Sequence, residues 1–140
     1  MCELPITNPS NDEIKDILKN SKTIAVVGLS KDPNKTSYSV ALYLKQSGYK
    51  IIPVNPSGGE ILGEKVYTNL KDIPEKIDIV NVFRKPEAIA EVIDEAIEVK
   101  PDIIWLQLGL CNNEAAQKAR EKGIKVVMNK CIKIEHSAYL

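Results

Sequence analysis

The sequence predicts an α/β domain of three layers, a mostly parallel sheet of about five strands with helices on both faces. Three observations predict it. Short apolar runs rich in β-branched residues alternate with segments whose apolar residues recur at helical spacing. The runs are apolar throughout, as strands buried on both faces are, rather than apolar at every second residue. Glycine, or asparagine followed by proline, closes several of these elements locally.

Ser10 followed by Glu13 reads as a capping box, and Ile14, Ile17 and Leu18 then share one helical face, giving a first helix that ends near Asn20. Residues 23–27, TIAVV, read as a buried strand ending at Gly28. A loop over 29–36 leads to a helix from Ser37, marked by Val40, Ala41 and Leu44 and stopped by Gly48. Residues 49–54 read as a second strand, ended by Asn55-Pro56 because proline lacks a donor for the ladder. Ser57-Gly58-Gly59 is a turn, and 61–67 reads as a short strand. Residues 77–83 are a strand, and Pro86 suits the first turn of a helix carrying Ile89, Ala90, Val92, Ile93, Ala96 and Ile97. A strand over 103–108, a helix over 113–121 closed by Gly123, and a last strand over 125–128 complete the pattern. The charged stretch 114–125 reads as a solvated helix face, Trp105 as core, and Tyr38 and Tyr43 as partly buried. The whole chain reads as one domain over 1–140, with 1–11 an N-terminal extension.

Composition removes several kinds of chemistry. Among 140 residues, Lys+Arg and Asp+Glu both count 19, a formal net charge of +0. That balance argues against a general nucleic-acid binder or a polybasic membrane binder. His136 is the single histidine, so a triad, a His-rich metal site or a histidine proton shuttle would all have to use it. The three cysteines, Cys2, Cys111 and Cys131, are odd in number and form no C-x-x-C, which is not the pattern of a secreted disulfide framework. No apolar run approaches the about 18 residues of a membrane helix, and residues 1–12 do not resemble a signal peptide. A soluble cytoplasmic protein is expected.

In open parallel sheets ligands bind outside the carboxyl ends of the strands, near the point where strand order reverses. The residues just after each strand therefore carry the information. They are Gly28-Leu29-Ser30-Lys31, Asn55-Pro56, Phe83-Arg84-Lys85, Leu108-Gly109-Leu110 and Asn129-Lys130-Cys131. With Lys35 also in the first loop, positive charge gathers at one edge of an otherwise neutral chain, which suits an anionic ligand. Ser30, Thr36 and Ser37 add hydroxyls, and the following helix adds free N–H groups. A solvated loop in which Ser37 only caps the helix is the competing reading. The first loop has one glycine where a dinucleotide fingerprint needs G-x-G-x-x-G, and Asn55 stands where that fold carries an acidic residue. This disfavours an NAD(P)-linked redox sensor. No P-loop motif occurs.

Several of these segments, taken in order, resemble the small stand-alone CoA-binding protein family. They are Val27-Gly28-Leu29-Ser30, the Pro33, Lys35 and Ser37 loop, Gly48-Tyr49 running into Pro53-Val54-Asn55-Pro56, Val82-Phe83-Arg84, Trp105-Leu106-Gln107-Leu108-Gly109, and Cys131 with Glu135. The similarity runs from about Asp12 to Glu135. It implies a Rossmann-like domain, similar to the CoA-binding domain of succinyl-CoA synthetase, that binds coenzyme A at the C-terminal edge of its sheet. On this resemblance Ser30, Lys31, Lys35 and Ser37 contact phosphates, and Asn55 and Pro56 shape the nucleotide pocket. Phe83 and Arg84 flank the adenosine part, and Gln107 and Gly109 line the route of the pantetheine arm. Gly28, at the first strand end, and Cys131, after the last strand, complete the expected set. Lys35 stands where such proteins often carry arginine, which keeps the charge and loses the bidentate fork.

The expected function is binding of CoA or an acyl-CoA by a non-catalytic carrier, sensor or regulator, with no catalytic or metal-binding residues. The partner is a small molecule, with no nucleic acid and no membrane, and the sequence specifies no protein partner. The alternative is an enzyme on an acyl-CoA or nucleotide substrate, with Lys31, Arg84 or Glu135 in acid–base roles. Cys131 has two readings, an inert packed thiol or one that meets the CoA thiol and forms a mixed disulfide under oxidation. Cys111, Cys131 and His136 match no metal-ligand spacing. Glu135 and His136 read as a polar tail near the surface.

Overall fold

The computed structural model describes Cys2 and residues 6–140. Of the expected extension, residues 1 and 3–5 lie outside the described residues. Helix α1 (Asn11–Asn20) opens as its sequence directs, with Ser10 Oγ accepting the Glu13 N–H at 3.2 Å and Ile14, Ile17 and Leu18 buried. Strand β1 (Thr23–Val27), helix α2 (Thr36–Gln46) and strand β2 (Lys50–Val54) follow. After a small hairpin come strand β5 (Ile79–Val82), helix α3 (Ile89–Val99), strand β6 (Ile103–Leu106), helix α4 (Asn113–Glu121), strand β7 (Lys125–Val127) and helix α5 (Ile132–Tyr139).

The main sheet has five strands in the order β2-β1-β5-β6-β7, all parallel, in a three-layer Rossmann-like arrangement. The chain steps from β1 outward to β2, then returns past β1 to β5. The order therefore reverses between β1 and β5, and a crevice opens there. Pro53 lies in β2, an edge strand, where a missing N–H costs little.

Alternation along each strand sends one set of side chains to each face. Ala25, Val27, Val80, Val82, Ile104 and Leu106 pack under α3 and α4. Ile24, Val26, Ile79, Ile103 and Trp105 pack under α1, α2 and α5. Trp105 is fully buried as expected, and its indole N–H donates to the Lys130 carbonyl at 2.8 Å.

The structure departs from expectation in three places. The segment 61–67 is not one strand. Strands β3 (Glu60–Ile61) and β4 (Glu64–Lys65) form an antiparallel hairpin about Leu62-Gly63. Both turn residues have positive φ, 54° and 75°, as a two-residue turn of that twist requires. Tyr67 alone then bridges β2. The polar tail at Glu135 and His136 is instead α5, packed against α1 and α2. Its start carries no side-chain cap, so sequence gave no signal for it. Finally, Cys2 and Cys111 form a disulfide across 109 residues, leaving Cys131 the free thiol. Thr7 and Asn8 lie by the end of β7 and the last turn of α4. Asn8 both donates to the Met128 carbonyl at 2.9 Å and accepts its N–H at 2.7 Å, and Arg120 donates to the Thr7 carbonyl at 2.7 Å.

Candidate functional site

A groove of about 890 Å³ lies along the C-terminal edge of the sheet, above the reversal of strand order. Each strand end contributes to it. Gly28, after β1, has φ +85° and sits against the next strand end so closely that a Cβ there would stand 1.9 Å from the Phe83 carbonyl oxygen. Only glycine fits such an approach, and the approach brings the loops after β1 and β5 together.

The loop from Leu29 to Lys35 is held by its own polar groups. Leu29 is buried, and its carbonyl accepts the Asn55 side-chain amide at 2.8 Å. Asn55 Oδ1 accepts the Ser57 N–H at 2.8 Å, so this side chain ties the ends of β1 and β2 together. Ser37 Oγ is buried and accepts the Ser30 N–H at 3.0 Å. Ser30 Oγ accepts the Asp32 N–H at 3.0 Å, and Asp32 Oδ1 accepts that of Asn34 at 2.9 Å. Ser37 is thus inside α2 and closes the loop from within, while Lys35 occupies the cap position with no side-chain cap bond. The first turn of α2 holds no acidic residue, so its positive dipole end is not neutralised locally.

Lys31 and Lys35 are exposed in this loop, and Arg84 and Lys85 are exposed after β5. Among the described residues none of these four makes an ion pair, as holds for most of the lysines, and Lys45, Lys50, Lys76, Lys118 and Lys130 have carboxylate partners. The Lys31 ammonium lies over Gly59, where a Cβ would stand 2.8 Å away. Toward β6 and β7 the lining changes. Phe83, Leu108, Leu110, Cys131 and Ile134 supply apolar surface. Gln107 is buried, with Oε1 accepting from Asn81 Nδ2 at 3.1 Å and from the Ile132 N–H at 3.0 Å. That fixes the carboxamide and turns its Nε2 away from both partners.

Of the expected residues, Gly28, Pro56, Phe83, Arg84, Gln107 and Cys131 line the groove. Ser30, Ser37 and Asn55 shape the loops beside it, and Gly109 donates to Asn129 Oδ1 at 2.7 Å in the turn after β6. Lys31 and Lys35 extend from the first loop. Ile134 was missed, because it belongs to the unforeseen helix.

The lone histidine is away from the groove. His136 Nδ1 meets the Tyr43 hydroxyl at 2.8 Å, and its ring stands edge-on to Tyr43 and Tyr49. Burial pushes the imidazole below its ordinary value. Burial, then the neighbouring Tyr43, pushes the Tyr49 phenol up. Glu135 pairs with Lys130 at 3.7 Å. Cys111, held by Cys2, is not a partner for Cys131 and His136 in any metal site.

Fold and groove define the class first: a doubly wound α/β domain with a cation-flanked crevice at its switch point. The family model described as "CoA binding domain" matches residues 22–137. Uncharacterized protein YneT of Bacillus subtilis is 50% identical over 130 residues, covering 93% of this chain and 96% of that one. A solved structure of a hypothetical protein from Pyrococcus horikoshii superposes with a TM-score of 0.91 at 37% identity, covering 99% of this chain and 98% of that chain. The alpha subunit of ADP-forming acetate–CoA ligase II of Pyrococcus furiosus is 31% identical over 118 residues, 82% of this chain, which spans 26% of that subunit. The chain belongs to the CoA-binding domain family.

Proposed function

We propose that this protein binds coenzyme A or an acyl-CoA in the groove, as a non-catalytic carrier, sensor or regulator in the cytoplasm. One observation carries the reading. Four cations, Lys31, Lys35, Arg84 and Lys85, and an uncapped helix start flank the same crevice that Phe83 and Pro56 line with flat apolar surface. A CoA molecule presents several phosphate charges, an adenine ring and a long amide-bearing arm, and each meets a matching chemistry here. Lys31, Lys35 and Arg84 would hold phosphate, and Phe83 and Pro56 would take the adenine. Gln107 would face the arm.

Thermal unfolding with CoA, acetyl-CoA, NAD, NADP and ATP in parallel tests this, since a ligand bound only by the native state raises the melting temperature. The CoA compounds are expected to raise it and NAD is not. A response to NAD with none to any CoA compound would overturn the reading. Lys35→Ala and Arg84→Ala should each weaken CoA binding, with a smaller penalty at high salt.

The second reading, an enzyme on an acyl-CoA or nucleotide substrate, draws on the likeness to the ligase subunit. Release of free CoA thiol from acetyl-CoA in the presence of ADP and phosphate would favour it.

A further inference from the structure

We propose that the groove takes CoA as an acyl thioester, with the acyl chain lying on an apolar lip formed by Leu108, Leu110 and Ile134. The inference rests on the CoA reading above and goes beyond it to the kind of ligand. Its first support is exposure. The large apolar side chains left open to solvent among the described residues are Leu108, Ile134 and Leu140, at 66%, 58% and 54%. Two of the three, from separate elements, line the same groove. Placing both in one crevice leaves apolar area uncovered that a ligand would remove from water.

The second support is order along the edge. Reading across the sheet from β2 to β7, the groove is lined by Pro56, then Gly28 and Thr36, then Phe83, Arg84 and Lys85, then Gln107, Leu108 and Leu110, then Cys131 and Ile134. The cations fall after β1, where Lys31 and Lys35 extend from the loop, and after the central strand β5, while the ends of β6 and β7 add Leu108, Leu110, Cys131 and Ile134 to the lining and no charge. Four interstrand spacings of about 4.8 Å give a span of roughly 19 Å. A ligand with phosphates at one end and a hydrocarbon at the other has this sequence of chemistries. Free CoA ends in a thiol and does not use the apolar end.

Gln107 supplies the junction. Its Oε1 is occupied by Asn81 and Ile132, while Nε2 has no protein partner. Asn81 Oδ1 is the one buried side-chain polar atom without a partner among the described residues, so Gln107 Nε2 is open to the groove it lines. A fixed N–H donor between the charged and apolar parts suits a carbonyl oxygen.

The test is titration calorimetry of the full chain with CoA and with acetyl-, butanoyl-, hexanoyl- and octanoyl-CoA. A chain half covered by the lip should gain about twofold in affinity per methylene, roughly 60-fold from acetyl to octanoyl. In Leu108→Ser with Ile134→Ser the ratio of octanoyl-CoA to CoA affinity should fall to about one; both positions are exposed, so the variant should fold. Equal affinity for CoA and octanoyl-CoA in the unmodified chain overturns the acyl inference and leaves the CoA reading standing. Binding of neither overturns both. A chain that dimerises through the lip, becoming monomeric in the double variant with no dependence on acyl length, also overturns it, since a second copy then covers the lip.

Discussion

Under α3 and α4 the sheet meets an unbroken apolar layer, while under α1, α2 and α5 the packing admits Ser37, Asn81 and Gln107, the buried polar side chains of the core. The second face also contains the indole N–H of Trp105 and the phenol of Tyr49, which donates to the Leu18 carbonyl. Most of these polar groups are satisfied within the protein, and several fix a loop or helix that borders the groove. Ser37 holds the Ser30 loop, Gln107 holds the start of α5, and Trp105 holds the Lys130 carbonyl. The comparison separates two tasks. The dry face supplies stability, and the mixed face supplies position, because hydrogen bonds are directional and apolar contacts are not.

Truncation on the dry face should give the largest effect. Ile104→Ala removes a fully buried side chain from the middle of β6 and should cost about 2–5 kcal/mol in urea unfolding, with ligand affinity of the folded fraction kept. A loss of affinity as large as the loss of stability would break the division between faces. On the mixed face, Gln107→Leu strips the acceptor from Asn81 Nδ2 and the Ile132 N–H, and about 1–3 kcal/mol of stability should go with it. Here CoA affinity should fall as well, because α5 and the groove wall lose their tie. Unchanged affinity in that variant would show that position is set elsewhere.

The smallest effect is expected at His136. Its folded proton affinity is lowered by burial, so as pH falls through about 6.5 the unfolded chain takes up a proton before the folded one. Stability is therefore full above this range and falls as pH drops toward the folded value, then levels off. Melting temperatures from pH 7.5 to 5.5 should show the decline, and His136→Gln should flatten it. A steeper decline in the variant would place the titration on another group.

Much of this was legible in the sequence. The strands announced themselves because a sheet covered on both faces needs runs such as TIAVV, and Ser10 marked the first helix by its cap. Strand-end position alone picked out Gly28, Pro56, Phe83, Arg84 and Cys131, since a parallel sheet delivers all its carboxyl ends to one edge, and Gln107 came from the family resemblance. What stayed hidden depends on distance. The eight residues of α5 are too few to show a clear period and lack a capping side chain, so only packing against α1 and α2 defines the helix. Ile134 was lost with it. Ser37 was expected at phosphate, and its partner across seven residues, the Ser30 N–H, appears only once the loop is folded. Pairing of Cys2 with Cys111 spans 109 residues, beyond the reach of any local pattern.

That pairing gives the chain an unequal response to a cut. Between Cys2 and Cys111 the backbone is closed into a covalent ring that contains β1, β2, β5 and β6. A single nick inside the ring leaves the two pieces joined. A nick after Cys111 frees a tail that carries α4, β7 and α5, and with it Cys131 and Ile134 from one wall of the groove.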